Sequence, residues 1–337
     1  MPEQHSNSGK SCQVKKIFLS LIAGLISVAT GASEIDSFTQ RYDNLQDVGP
    51  VLDARTNVLL DRAISRANRI ADKGADDEDG NEAVGCSAPV LYRSVRKELG
   101  RRFIGQLEVF VHQSAQIDKR RMQRKKTIYR DFRFYEAPSM GTIGRISAIV
   151  RVQDNIVGSD KFGHFFAQGY GYFKRAYLDG KGVESALRFG ELSERVFLGA
   201  LTTGVYSYAD LAANFNGLQF WTQLVAGYAD PMGADASSKG PYVHCKDNRW
   251  QRRRHFTWAD YIDAAWDEGV NCNAFRNRTL LHRVSMRLTE LERQTGHPMR
   301  CPVSISAAAM LKDKYGRYFP RLVNLEGNQS LTGLLHF

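Results

Sequence analysis

Apolar residues recur at helical spacing through most of the chain, and no other sequence feature limits the fold as strongly. From Asp53 to about Ala71, residues Val58, Leu59, Ala63, Ile64, Ala67 and Ile70 keep to the helical period. A second helix is expected from about Ala88 to Ile117, with Leu99, Phe103, Leu107 and Phe110 on one face and a basic face opposite. Helical patterns follow over Asp160–Leu178, Val183–Leu201, Ser207 to about Ala226, Thr257–Asp267, Phe275–Thr295 and Ser304–Lys314. Turn chemistry such as Asp179-Gly-Lys-Gly182 separates them. Only Ile146–Val152 and Asn155–Val157, split by Gln153-Asp154, read as a short hairpin. The expected fold is mainly α: a multi-helix bundle with a small β-hairpin and a disulfide-stapled C-terminal extension.

Eighteen Phe, 14 Tyr and 4 Trp in 337 residues supply enough apolar surface for a large core, which excludes disorder over most of the length. At the N-terminus, Lys10, Lys15 and Lys16 precede an apolar run from Ile17 to Ala29, followed by Thr30-Gly31-Ala32-Ser33. A basic start, an apolar run of this length and a small-residue exit make a secretory signal, cut after Ala29, Gly31 or Ala32. The rival reading is an uncleaved anchor, but the run is shorter than the ~20 residues that a spanning helix needs. No later stretch is long and apolar enough to span a membrane, so no transmembrane helix is expected in the mature chain. The expected location is periplasmic or secreted. Residues 1–32 are read as the signal, 33–229 as a helical domain, and 230–337 as a C-terminal extension on the same body. The Gly/Ser/Pro loop of residues 230–243 is the boundary between the last two.

Four cysteines follow the signal: Cys86, Cys245, Cys272 and Cys301. An even count in an oxidising compartment points to two disulfides, with three connectivities open. Zinc is the alternative, since His244, His255, His282 and His297 are scattered among the last three, but there is no C-x-x-C pair. The formal charge of +10 falls by 2 when residues 1–32 (three Lys against Glu3) are removed, leaving 10 − 2 = +8. A net positive body favours anionic partners, and charge alone does not choose among lipid head groups, envelope polymers and nucleic acid. For an exported chain an anionic envelope surface or polymer is the partner admitted, and nucleic acid is not expected. Nothing in the sequence sets the oligomeric state. The run Lys119-Arg-Arg-Met-Gln-Arg-Lys-Lys126 can meet such a surface, or be a solvated helix end whose cations suit the helix dipole; the second reading is preferred. Arg249-Trp-Gln-Arg-Arg-Arg254 offers the same choice, and a solvated loop is again preferred.

Between Asp160 and Gly217 lies a polar constellation. Asp160 and His164 are four apart, hence on one helix face, and Gln168 continues that face. Gly163, Ala167 and Gly171 form a stripe of small residues beside it. On a later helix Asp210 and Asn214 repeat the offset, with Gly217 close by, and Glu191 and Glu194 lie on the helix between. Asp-Lys-x-x-His-Phe, then a helix-borne Glu, then Asp-x-x-x-Asn-x-x-Gly resembles the signature of the VanZ-like proteins and the periplasmic YfiM-like lipoproteins. Here the matching positions are Asp160, Lys161, His164, Phe165, Glu194 (or Glu191), Asp210, Asn214 and Gly217. The resemblance covers residues 158–221, under a fifth of the chain. It departs from the VanZ-like proteins, whose helices span a membrane, because Lys174, Arg175, Glu191, Glu194 and Arg195 make these helices soluble. It departs from the lipoproteins because Cys12 precedes the apolar run. What the resemblance implies is an exported envelope protein with a structural or binding role, and no particular reaction.

Bland readings stand beside this one. Asp160 and Asp210 both sit where a helix start needs a cap, and Ser207-Tyr-Ala-Asp210 looks like a capping box. His164, among Phe162, Phe165 and Phe166, can be a core histidine held by Asn214 in a satisfied polar network. The functional readings take Asp160, His164, Glu194, Asp210 and Asn214 as a catalytic set. In one form His164, Asp160 and Asp210 hold a divalent metal, for which they are the right ligand types, though one His is few for zinc. In the other, Glu194 and Asp210 are an acid/base pair of an envelope-directed hydrolase acting on glycan or lipid. H-E-x-x-H, G-x-S-x-G and P-loop motifs are all absent. Trp258, Tyr261 and Trp266 read as core. Asp267-Glu268 puts carboxylates at the unfavourable end of the expected helix, which keeps that segment as a second-site candidate.

Overall fold

The computed structural model describes residues 34–75, 85–100, 105–143, 146–196, 199–233 and 239–333. The signal lies outside the described residues, as does most of the acidic stretch Gly74–Glu82. Helix α1 (Gly49–Ala75) packs along α2 (Ala88–Leu99), and α3 (Gln106–Gln113) follows. The single helix expected over Ala88–Ile117 is thus two. Gly100, which cannot hold a helix well, takes up the C-cap of α2, and Gly105 opens α3 in extended backbone. A short α4 (Pro138–Ile143) leads to strands β1 (Ile149–Val152) and β2 (Asn155–Gly158), which pair antiparallel with Val152 opposite Asn155. That is the expected hairpin, with Gln153 and Asp154 as its two-residue turn.

Helix α5 begins at Lys161–Gly163 and widens to π geometry over His164–Gln168. It returns to α over Gly169–Phe173 and widens again over Lys174–Leu178. Then come α6 (Val183–Val196), strand β3 (Val205–Tyr206) and α7 (Tyr208–Thr222). Every residue of α7 from Ala209 to Thr222 is buried, which makes it the central helix. It touches α5 through glycine: a Cβ on Gly217 would strike the Phe165 carbonyl and the Gly169 Cα. Of the stripe Gly163, Ala167 and Gly171, expected to let another helix approach, Gly163 lies against Gly105 at the start of α3, while Gly171 has open space where its Cβ would be and neither is the contact with α7. One extra residue in the π turn rotates everything after Gln168, so Gly169 takes the inward place.

Strands β4 (Val243–Lys246) and β5 (Arg249–Arg252) form a second hairpin that lies on α1. Its turn is Asp247-Asn248, both with positive φ, the conformation that a tight hairpin demands. The tract expected as a solvated loop is therefore strand β5 and the two residues after it, and three of its four arginines pair with carboxylates. Arg249 pairs with Asp72, Arg252 with Asp61, and Arg254 with Asp260. The helix expected over Thr257–Asp267 is instead two 3-10 turns, Trp258–Asp260 and Ala264–Trp266, each started by a capping side chain (Thr257, Asp263). Trp258, Tyr261 and Trp266 are core as expected, meeting Phe165 at ring-centroid distances of 5.0, 4.9 and 5.8 Å.

Strand β6 (Ala274–Phe275) joins β3 to β7 (Gln329–Ser330), with α8 (Arg278–Thr295), α9 (Ala308–Tyr315) and α10 (Phe319–Leu322) between β6 and β7. One apolar cluster runs from Val48 to Val323, so residues on both sides of the 230–243 loop share a core. Disulfides link Cys86 to Cys245 and Cys272 to Cys301, the second within the C-terminal region. Among the described residues, no helix is long and apolar enough to cross a membrane.

Candidate functional site

Lys161 is the first residue of α5 and is fully buried, which no ammonium tolerates without partners. Three carboxylates surround it: Asp160 Oδ2 at 3.0 Å, Asp210 Oδ1 at 2.5 Å and Glu268 Oε1 at 2.8 Å. Each comes from a different element. The β2–α5 junction supplies Asp160, the start of α7 supplies Asp210, and the segment after the second 3-10 turn supplies Glu268. The short β3–β6 ladder brings the last two together, because it ties the residues just before α7 to those just after Glu268. Ser207 Oγ donates to Glu268 Oε1 at 3.0 Å, and Asn273 Nδ2 donates to Glu268 Oε2 at 2.7 Å.

The capping expectation holds for Ser207 and not for its partner. Ser207 Oγ accepts from the Asp210 backbone N–H at 3.1 Å, but the Asp210 carboxylate turns to Lys161 and His164. Asp160 is likewise more than a cap. Its Oδ1 accepts from the adjacent Lys161 N–H, and its Oδ2 faces the ammonium.

His164 sits at the edge of this centre, with 16% of its side chain exposed. Its Nδ1 lies 3.1 Å from Asn214 Oδ1, and its Nε2 lies 3.3 Å from Asp210 Oδ2. An amide oxygen only accepts, so Nδ1 carries a proton. Nε2 then faces a carboxylate and needs either a second proton or a cation between the two. Asp160, His164 and Asp210 each offer a ligand atom, and these atoms lie within 4.8 Å of one another. Two donors bound ~2.1 Å from one ion stand roughly 3.0–3.4 Å apart, the separation found between Nε2 and Oδ2. An Nδ1–H held by a carbonyl oxygen is also the usual support of an Nε2 ligand.

The carboxyls are not equivalent. Burial pushes Glu194 well above the usual carboxylate range, and the Asp210 charge adds to it. Glu34 is pushed the same way, by burial and then by Glu268 and Asp210. Asp160 and Glu268 are raised by burial, with Lys161 opposing. Asp210 alone of the five ends below its ordinary value: burial works against it, but His164, Lys161 and the Ser207 hydrogen bond outweigh that. The three carboxylates in turn hold the Lys161 ammonium charged against its burial. Glu108 on α3 is pushed up to about 8 by burial and then by Asp160.

Of the expected residues, Asp210 and Asn214 both contact His164, and Asp160 joins Asp210 through the Lys161 ammonium. Glu194 comes from α6 behind them, 2% exposed, and its Oε1 has no hydrogen-bond partner among the described residues. Glu191 points elsewhere, to Arg321. Glu34, Glu108 and Lys161 were not in the expected set, though Lys161 was visible in the motif. Glu268 was flagged only by its awkward place. With no helix there, the dipole objection dissolves: Glu268 faces Lys161, and Asp267 takes the fork of Arg41 at 2.7 and 2.8 Å. Compared with protein-family models, with curated proteins and with solved structures, the chain matches none.

Proposed function

We propose that this is an exported cell-envelope protein of YfiM-like type, periplasmic or secreted, with a structural and binding role. In this reading the Lys161 cluster locks the N-terminal segment, α5, α7 and the C-terminal region together, and its His164 edge binds a divalent cation. The N-terminal signal, two disulfides and the Asp-Lys-x-x-His motif support the compartment and type. One observation carries the cation site: Asn214 occupies Nδ1, which aims Nε2 at Asp210 Oδ2 with Asp160 alongside. His164, Asp160 and Asp210 would hold the ion, and Lys161 would balance the charge that two carboxylates leave over. One imidazole among oxygens suits Mn²⁺ or a similar ion better than a structural zinc.

Metal analysis of the purified protein after dialysis is the test. About one equivalent is expected, and His164→Ala should abolish it with little change in melting temperature. No bound metal, together with a sharp loss of melting temperature in His164→Ala, would return the site to a purely structural network.

A second reading is an envelope-directed hydrolase acting on glycan or lipid. It draws support from the opposite directions in which Glu194 and Asp210 are pushed, the pattern of an acid and a base. The deep burial of Glu194 weighs against contact with a large substrate. Hydrolysis of envelope glycan or phospholipid that survives Glu194→Gln unchanged would sink this alternative.

A further inference from the structure

The cationic run Lys119–Lys126 is not the helix end that its sequence suggested. Helix α3 stops at Gln113, and the run is irregular apart from one 3-10 turn at Arg124–Lys126. Its backbone is anchored, since Arg120 exchanges hydrogen bonds with Ile149 of β1. Several of its cations are used inside. Lys119 reaches the Ser114 carbonyl, Arg120 takes Asp118 and Asp43, and Arg124 donates to the carbonyl of Phe132 at 2.9 Å. Arg121 shares a hydrogen bond with His112 Nδ1 at 2.8 Å but stays exposed, and Lys125 and Lys126 are exposed and, among the described residues, pair with no acid.

A few residues on, Phe134 and Tyr135 stand side by side, 60% and 65% exposed. The neighbouring Arg133 is exposed too and donates to the Tyr135 hydroxyl at 2.8 Å. Helix α8 holds the two parts of this surface together. Arg287 donates to the Lys126 carbonyl, while Arg283, one turn earlier, donates to the Asp131 carbonyl and pairs with Glu136. Met286, between those arginines in sequence, is 59% exposed. Residues 119–136 hold eight Lys and Arg against Asp131 and Glu136, a net +6 out of the chain's +10. Both acids are already paired, with Arg130 and Arg283.

We propose that this edge docks on an anionic phospholipid bilayer, with Phe134 and Tyr135 entering the headgroup layer while Arg121, Lys125, Lys126 and Arg133 meet lipid phosphates. Adjacent exposed rings flanked by cations are what an interfacial site presents. A soluble polyanion would use the charges and leave the rings in water, so the rings decide for lipid. The exported reading enters only in saying which membrane is met, and the cation site does not enter at all.

Co-sedimentation of the chain from Glu34 onward, which carries the whole described core, tests this with vesicles of phosphatidylcholine with and without phosphatidylglycerol. Binding should need the anionic lipid and fall with salt. Phe134→Ser/Tyr135→Ser and Lys125→Glu/Lys126→Glu should each weaken it by about tenfold. Their melting curves should overlay the wild type, because these side chains are exposed. Equal binding to both kinds of vesicle, or none, overturns the proposal. So does a ring variant that binds like wild type while the charge variant fails, which would mean a polyanion site.

Discussion

A single ammonium group, that of Lys161, carries much of the logic of the centre. Its three carboxylate partners come from segments 49 and 107 residues downstream and from the residue just before it. Breaking a buried ion cluster by removing one charge leaves the others uncompensated, which costs about 3–5 kcal/mol. Lys161→Met, similar in length and uncharged, should therefore lose stability on that scale in urea or guanidinium unfolding at neutral pH. A loss under 1 kcal/mol would mean that the three carboxylates do not depend on the ammonium. His164 behaves differently, because it is partly exposed and at the edge. Its loss should show in bound cation before it shows in stability.

Helix α5 owes its contact with α7 to a local defect. The π turn over His164–Gln168 inserts a residue, keeps His164 facing Asp210, and delivers Gly169 to Gly217. Two glycines let the backbones of these helices approach more closely than any side chain allows. Gly217→Ala should push them apart and cost about 1–3 kcal/mol by overpacking. Gly171→Ala on the same helix should be neutral or slightly stabilising, since its Cβ meets nothing and alanine suits a helix better. Denaturation of both variants distinguishes the true contact from the stripe that α-helical spacing suggests; equal effects would remove the distinction.

Across the molecule, the buried carboxyls set how stability depends on pH. Glu34, Glu194, Asp160, Glu268 and Glu108 hold protons more tightly in the fold than in the unfolded chain, so each contributes stability that fades as pH rises. Asp210 has the opposite sign, and its contribution is lost as pH falls through its lowered folded value. For Glu108 the window runs from the ordinary value of 4.5 up to about 8. Glu108→Gln should flatten the fall of melting temperature across that window and stabilise the protein at its upper end, on the order of 1–3 kcal/mol. A variant that follows the wild-type curve throughout would show that Glu108 does not titrate there. From the sequence alone, the helical class, the first hairpin, the aromatic core near Trp258 and the Asp160, His164, Asp210, Asn214 grouping could be read, because period and local spacing encode them. The second hairpin was legible too, through Asp247-Asn248, had that turn been given weight over the cations around it. Tertiary structure alone decided which cysteines join and that Glu268 completes the charge around Lys161. Those outcomes depend on which distant segments share one low-dielectric interior, and a burial penalty is felt only once the whole chain has closed around the group that bears it.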